Sequence, residues 1–309
     1  MRRAIIAVVL FFIVSCSNGS FGAAPRFLKV SDHCYYMQLK ESGENVAVVV
    51  TDDGVVMVNP PQEPGLSIAM EALATVTAKT VRWVVFTEPG PSRNADTRFF
   101  SDRNALILTS ARLQTLSPPE PARPNGDAPA APTPARLIFD GQMHLFPSNV
   151  EVRIIALQHK ARTGGDVVVF VPAEKILIVG GLYEAARYPN IDIAAGGSAA
   201  DWMDGMKQLI DAVPVLKAAI PAAKPAPKSE QEKTLEEGFI VVSGRGEASN
   251  LQNMKDLLES CKKLRTDIAR AVKAGRTCDS FLASSVADPY RSYSNLESYA
   301  RQLFEALAR

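Results

Sequence analysis

Val84 to Asp96 reads VVFTEPGPSRNAD, and this stretch decides how the chain is read. Its apolar start continues a run from Val81 to Phe86 with the character of a buried strand; at Thr87 the sequence turns into a loop carrying Glu88, Ser92 and Arg93. A loop of polar and charged groups held at one end by a rigid strand is where α/β folds place their chemistry. A second informative stretch, Gly165 to Gly181, reads GDVVVFVPAEKILIVGG. Val167 to Val171 and Lys175 to Val179 are short apolar runs, and Pro172-Ala173-Glu174 turns one into the other, which predicts a buried hairpin.

Outward from these stretches, short strands alternate with a few helices. Phe27 to Gln38 reads as one opening strand, and Asn45 to Val50 with Val55 to Val58 as a hairpin across Asp52-Asp53-Gly54. Leu66, Met70, Leu73 and Val76 recur at helical spacing and predict an amphipathic helix over Leu66 to Ala78. Ala105 to Thr109 is another buried strand. Leu137 to Phe139 and Met143 to Phe146 read as a hairpin across Asp140-Gly141, with Val150 to Leu157 continuing its sheet. Ser198 to Val213 predicts a helix and Phe239 to Val242 a strand. Ser249 followed by Gln252 has the form of a capping box, each side chain satisfying the other residue's orphan amide. The helix it opens carries Met254, Leu258, Cys261, Leu264 and Ile268 on one face and stops at Gly275; a last surface helix is predicted over Tyr290 to Arg309. Ser117 to Arg136 and Pro221 to Lys228, dense in Pro and Ala, hold neither helix nor ladder and read as surface insertions.

Together these motifs resemble the metallo-β-lactamase superfamily. In that family the strand matching Val84 to Phe86 ends in Thr-His-x-His-x-Asp-His; Thr87 matches, while Glu88, Gly90, Ser92 and Arg93 fall where His, His, Asp and His stand. The hairpin resembles the family's Gly-Asp-x-x-Val-Tyr-x-Pro-x-x-x-Val-Leu-x-x-Gly-Asp-Leu, and Val58-Asn59-Pro60 its Ile-Asp-Thr with asparagine for aspartate. The resemblance implies a four-layer αβ/βα sandwich over residues 25 to 246, preceded by a leader of residues 1 to 24 and followed by a helical extension of residues 247 to 309.

It also implies a zinc-dependent hydrolase, and here the sequence departs from the family. Zinc takes nitrogen, sulfur or carboxylate donors, and the family's hydrolysis relies on the metal to make hydroxide at neutral pH. The next histidine position holds Arg162, ahead of Thr163, Gly164, Gly165 and Asp166; the bridging aspartate is Gly181, and the last histidine is Arg245 in Ser243-Gly244-Arg245-Gly246. A guanidinium stays protonated and repels a cation, so the expectation is a chain with no zinc, no other cofactor and no catalytic residue. Asp166 keeps the family's residue, whose role there is mainly structural. Left around one cleft are Glu88, Arg93, Arg162, Asp166 and Arg245. Two readings follow. Either Glu88 pairs with arginine as an internal brace, because a buried guanidinium needs a counter-charge; or the arginines outnumber Glu88 and the surplus charge binds a carboxylate, phosphate or sulfate. His159 near a strand end reads as a structural residue, and His33 and His144 match no ligand position. No histidine and acid accompany Ser92, and Gly-x-Ser-x-Gly is absent.

The 309 residues are enough for a large core, and 47% hydrophobic content, 22% charged content and a net charge of +1 leave no electrostatic footprint for nucleic acid. Arg2 and Arg3 precede an apolar run from Ala4 to Val14 and then small and polar residues, the order of an export signal too short to span a bilayer. Ile13-Val14-Ser15-Cys16 resembles the bacterial lipobox, which would make Cys16 a lipidated N-terminus and the only membrane anchor; a plain cut near Ala23 is the alternative. Either places the chain outside the cytoplasm, in the periplasm or on a membrane. Of the remaining cysteines, Cys261 and Cys278 could pair across one helix end, and free buried thiols are equally in keeping with the sequence. The expectation is therefore an exported, metal-free, non-catalytic relative that binds a small anion or an envelope protein. The alternatives are a hydrolase with a rebuilt site, and a scaffold using Ser117 to Arg136 with the C-terminal helices.

Overall fold

Two sheets pack face to face. In the computed structural model, which describes residues 25–89, 99–116, 137–215 and 238–308, the first sheet has seven strands in chain order. They are β1 (Leu28–Lys29), β2 (Cys34–Gln38), β3 (Asn45–Thr51), β4 (Gly54–Val58), β5 (Val81–Val85), β6 (Leu106–Ser110) and β7 (Leu137–Phe139). The second has six, ordered β13 (Ser249–Asn250), β12 (Ile240–Ser243), β11 (Ile176–Gly180), β10 (Val167–Val171), β9 (Val152–Ala156) and β8 (Gln142–Leu145). Strands β4 to β7 run parallel to one another, as do β11 and β12, so these strands have their C-terminal ends in common within each sheet. Cys16, Arg93 and both Pro/Ala-rich segments lie outside the described residues.

The period-2 geometry of a strand explains why the β10–β11 hairpin is apolar on both faces. Val167, Val169, Val171, Ile176 and Ile178 belong to the core shared with the first sheet. Val168, Phe170, Leu177 and Val179 belong to a second core under the helices α3 (Ala199–Ala212), α4 (Leu251–Lys273) and α6 (Leu296–Leu307). On the other side α1 (Gly65–Ala74) buries Leu66, Ala69, Ala72 and Leu73 against the first sheet. Two shorter helices among the described residues are α2 (Ala111–Leu116) and α5 (Cys278–Leu282). The result is an αβ/βα sandwich. Each fully buried leucine on α4, such as Leu257 or Leu264, contributes about 1.5–3 kcal/mol relative to leaving it exposed. The helices of residues 247 to 309 thus supply most of one outer layer.

Several sequence expectations change. Phe27 to Gln38 is not one strand, because the chain turns at residues 31–33 and β1 folds back on β2, with Leu28 opposite Tyr36. Leu137 to Phe139 and Met143 to Phe146 do not form a hairpin: β7 adds to β6 in the first sheet and β8 pairs with β9 in the second. Three-residue apolar runs do not specify their partners, and the turn at Asp140-Gly141 carries the chain from one sheet to the other. The α1 helix ends at Ala74, short of Ala78. Residue 290 closes a 3-10 turn over Ser285–Tyr290, and α6 is no surface helix, since it buries Tyr299, Ala300 and Leu303. Of the two cysteine arrangements the sequence leaves open, the structure has the unpaired one, with Cys34, Cys261 and Cys278 as free thiols.

The capping box also moves by one residue. Ser249 pairs with Val241 in the sheet and its hydroxyl lies 2.9 Å from that of Tyr183, so the cap falls to Asn250. The Asn250 side-chain oxygen accepts from the Asn253 amide at 2.9 Å. Replacing Asn250 by Ala is expected to lower unfolding stability by about 1 kcal/mol, and by Gly only a few tenths, in urea titrations. Equal midpoints for Asn250→Ala and the parent would show that this cap contributes nothing.

Candidate functional site

Asn59 follows β4, Thr87 and Glu88 follow β5, Gly181 follows β11 and Arg245 follows β12. The parallel pairing therefore brings residues far apart in sequence to one edge of the sandwich. Backbone bonds close that edge: the Val167 amide donates to the Thr87 carbonyl at 2.8 Å, and the Asn45 amide to the Gly244 carbonyl at 2.9 Å. The Asn45 side-chain amide donates to the carbonyls of Ser243 at 2.9 Å and Gly246 at 2.8 Å. Asn59, at φ 54°, donates its side-chain nitrogen to Thr87 Oγ1 at 2.6 Å and accepts from the Thr87 amide at 2.9 Å. Asn59 thus ties the loop after β4 to the loop after β5 through both the hydroxyl and the amide of Thr87.

The cavity between these loops, about 180 Å³, is lined by Glu44, Asn45, Glu88, Arg162, Glu184 and Arg245 among others. Arg162, from the loop between β9 and β10, donates Nη1 to Glu88 Oε2 at 2.6 Å; the two side chains are 15% and 19% exposed. The pair lies directly over Gly181. A Cβ on that glycine would sit 2.3 Å from Glu88 Oε2 and 3.0 Å from Arg162 Nε, so the ion pair already fills the volume a side chain would take. Gly244 packs equally close, since a Cβ there would meet the Gly180 carbonyl at 2.6 Å. Arg245 bonds to Glu44 at 3.0 Å, to Glu184 at 3.4 Å and to the Ser42 carbonyl. Glu184, buried, also pairs with Arg187 at 2.7 Å. Burial pushes its carboxyl above the ordinary value, against the pull of Arg187, Arg245 and Arg162.

Of the residues expected from sequence, Glu88, Arg162 and Arg245 come together at this cavity. Arg93 lies outside the described residues. Asp166 is buried beside the cavity wall rather than lining it: it accepts from the Thr163 amide and hydroxyl, each at 2.8 Å, and fixes the turn that carries Arg162. His159 is exposed and His33 and His144 pair with Glu174 and Glu151, so none faces the cavity. Sequence reasoning missed Glu44, Asn45 and Glu184. Glu184 stands three residues past Gly181, beyond the end of a parallel strand, and that position was its only signal. These carboxylates alter the charge argument, because each described arginine at the site has a carboxylate partner.

The fold raises the question of zinc, and the residues present do not fit it. Among the described residues no three His, Cys, Asp or Glu side chains gather to hold a metal ion. Glu88 is paired with a guanidinium that cannot coordinate, and Gly181 offers no donor.

Gly181→Ala is expected to cost about 1–3 kcal/mol of unfolding stability, because the new methyl group must displace the Glu88–Arg162 pair; an unchanged urea midpoint would contradict the packing. Burial raises the Asp166 carboxyl from 3.8 to about 6, against the Thr163 hydrogen bonds. The fold thus favours the protonated form, so this group's stabilising contribution is full below pH 3.8 and is lost as pH rises through about 6. Relative to Asp166→Asn, the parent should lose stability across that window, and a constant difference between the two would contradict the assignment.

The sequence matches no family model and no curated protein. Solved structures do resemble the fold. The DIM-1 metallo-β-lactamase is similar with a TM-score of 0.54 and 14% identity, over 78% of this chain and 98% of that one. A metallo-β-lactamase from Pontibacter korlensis gives 0.54 at 15% identity over 76% and 99%, and VMB-1 gives 0.54 at 17% over 77% and 97%. At these identities the likeness concerns architecture alone: the chain has the metallo-β-lactamase fold.

Proposed function

We propose that this protein is an exported, metal-free and non-catalytic relative within the metallo-β-lactamase fold. Its Glu–Arg network braces the strand ends that a metal cluster would otherwise join, and the cavity beside the network binds a small molecule or an envelope partner. One observation carries the reading: the Glu88–Arg162 pair, bonded at 2.6 Å and packed over Gly181, occupies the meeting point of these loops. The Arg162 half of the pair can serve neither as a metal ligand nor as a base, because a guanidinium does not give up its proton near neutral pH. Glu44, Glu88 and Glu184 pair with the described arginines, so binding of an anion would rest on Arg93, which lies outside the described residues. Export rests on Arg2, Arg3 and the apolar run to Val14, and anchoring on lipid at Cys16. Among the described residues no helix is long and apolar enough to cross a membrane.

The competing reading is a hydrolase with a rebuilt site, which the names of the similar structures keep in view. Elemental analysis separates them. The chain lacking residues 1–24, purified without chelator and dialysed against zinc, is expected to retain almost no metal and to leave a chromogenic lactam and an aryl ester at background turnover. Close to one tightly held zinc per chain, or turnover lost on Glu88→Ala, would overturn the proposal.

A further inference from the structure

At the other end of the sandwich from the cavity, one carboxylate ties the two sheets together. Glu174 lies in the turn from β10 to β11, so the length of β11 separates it from Gly181. Its side chain reaches the turn between β1 and β2 of the first sheet. Oε2 accepts from the Ser31 hydroxyl and, at 3.2 Å, from the His33 amide, and Oε1 meets His33 Nδ1. The Glu174 side chain is 11% exposed and that of His33 40%, so the carboxylate depends on these partners while the imidazole stays open to solvent. The segment they hold is slight. Strand β1 has two residues, both exposed, and pairs with β2 only through Leu28 with Tyr36 and Lys29 with Tyr35; a ladder of that length is marginal by itself.

The surroundings of His33 favour its charged form. Glu174 faces it from the β10–β11 turn, Asp32 from its own turn and Asp52 from the β3–β4 hairpin. Lys29 lies 4.0 Å from Asp32 and Lys79 3.8 Å from Asp52, and burial keeps the adjacent Cys34 thiol neutral. The bond to Glu174 raises the imidazole above its ordinary 6.5 against partial burial, and the three acidic charges add to the rise. Burial pushes Glu174 up, but its bonds from His33 and Ser31 more than offset that and leave it lowered. A raised histidine gives its full stabilisation below pH 6.5 and loses it as pH rises through the folded value, whereas the lowered carboxyl keeps its contribution above pH 4.5. The contact is therefore strongest in mildly acidic solution. A neutral imidazole can keep an Nδ1–H bond but not the charge that strengthens it.

We infer that Ser31, His33 and Glu174 form a proton-operated clasp: charged His33 holds the β1 segment against the second sheet, and neutral His33 lets that segment open locally. Opening bares the buried Phe27 and the edge of β2, a row of backbone groups on which another extended chain can pair.

The test follows the chain lacking residues 1–24 by NMR from about pH 5.5 to about pH 9, across the range in which a histidine titrates. The ring protons of His33 report its charge. The Val30 amide, bonded to the Cys34 carbonyl at 2.9 Å, reports closure of the β1 turn through its hydrogen-exchange protection, corrected for the intrinsic pH dependence of exchange. His33 is expected to titrate above 6.5, and Val30 protection to fall through the same midpoint, about tenfold for each unit by which that midpoint exceeds 6.5. The Asn59 amide, bonded to the Val85 carbonyl at 2.9 Å near the cavity, should stay protected throughout. In Glu174→Gln, which keeps an acceptor but removes the charge, the His33 midpoint should fall back towards 6.5 and Val30 protection should be flat. A parent midpoint at or below 6.5 would overturn the inference. So would Val30 protection that is flat through the titration, or that falls only together with that of Asn59.

Discussion

A guanidinium taken out of water must find a carboxylate, and around Arg162 this requirement organises the whole edge of the sandwich. Its side chain is only 15% exposed, and Glu88 meets it at 2.6 Å. The pair needs the space above Gly181. It also joins the loop after β5 to the loop before β10, the same two loops that are tied by the Val167–Thr87 backbone bond. Removing one partner from such a pair costs more than the pair itself contributes, because the other charge stays buried and unmet. Glycine at 181 and the pair of glutamate at 88 and arginine at 162 are therefore parts of one arrangement.

Much of the fold was legible because its longest apolar runs are buried on both faces. Val167 to Val179 could only be a hairpin between two layers, and the periodicity of α4 could only be a helix lying on a core. Pairing was less legible where strands are short. Leu137 to Phe139 gives too few side chains to choose between β6 and β8, and the choice is made by sheet geometry that the local sequence does not encode. The cap at Asn250 was hidden for a related reason, since the sheet claims Ser249 first. Tyr290 to Arg309 looked like a surface helix, although Tyr299 stacks on Tyr188 with centroids 5.6 Å apart and seals the helical layer.

The site was legible only as far as motif positions reach. Glu88, Arg162 and Arg245 were found because the strand and hairpin motifs place them, and they do converge. Glu44 and Glu184 belong to no motif, and missing them led to a surplus of positive charge that the described residues do not have. Asp166 keeps its expected structural part, holding the turn at Thr163 while burial raises its carboxyl.

The most direct test is a double-mutant cycle on Glu88→Ala and Arg162→Ala, with unfolding free energies from urea titration. If the pair is the brace described here, the double variant should lose less stability than the sum of the single variants, with a coupling of about 1 kcal/mol or more. Additive losses, with coupling indistinguishable from zero, would mean that the two side chains sit beside each other without holding the edge of the sandwich together.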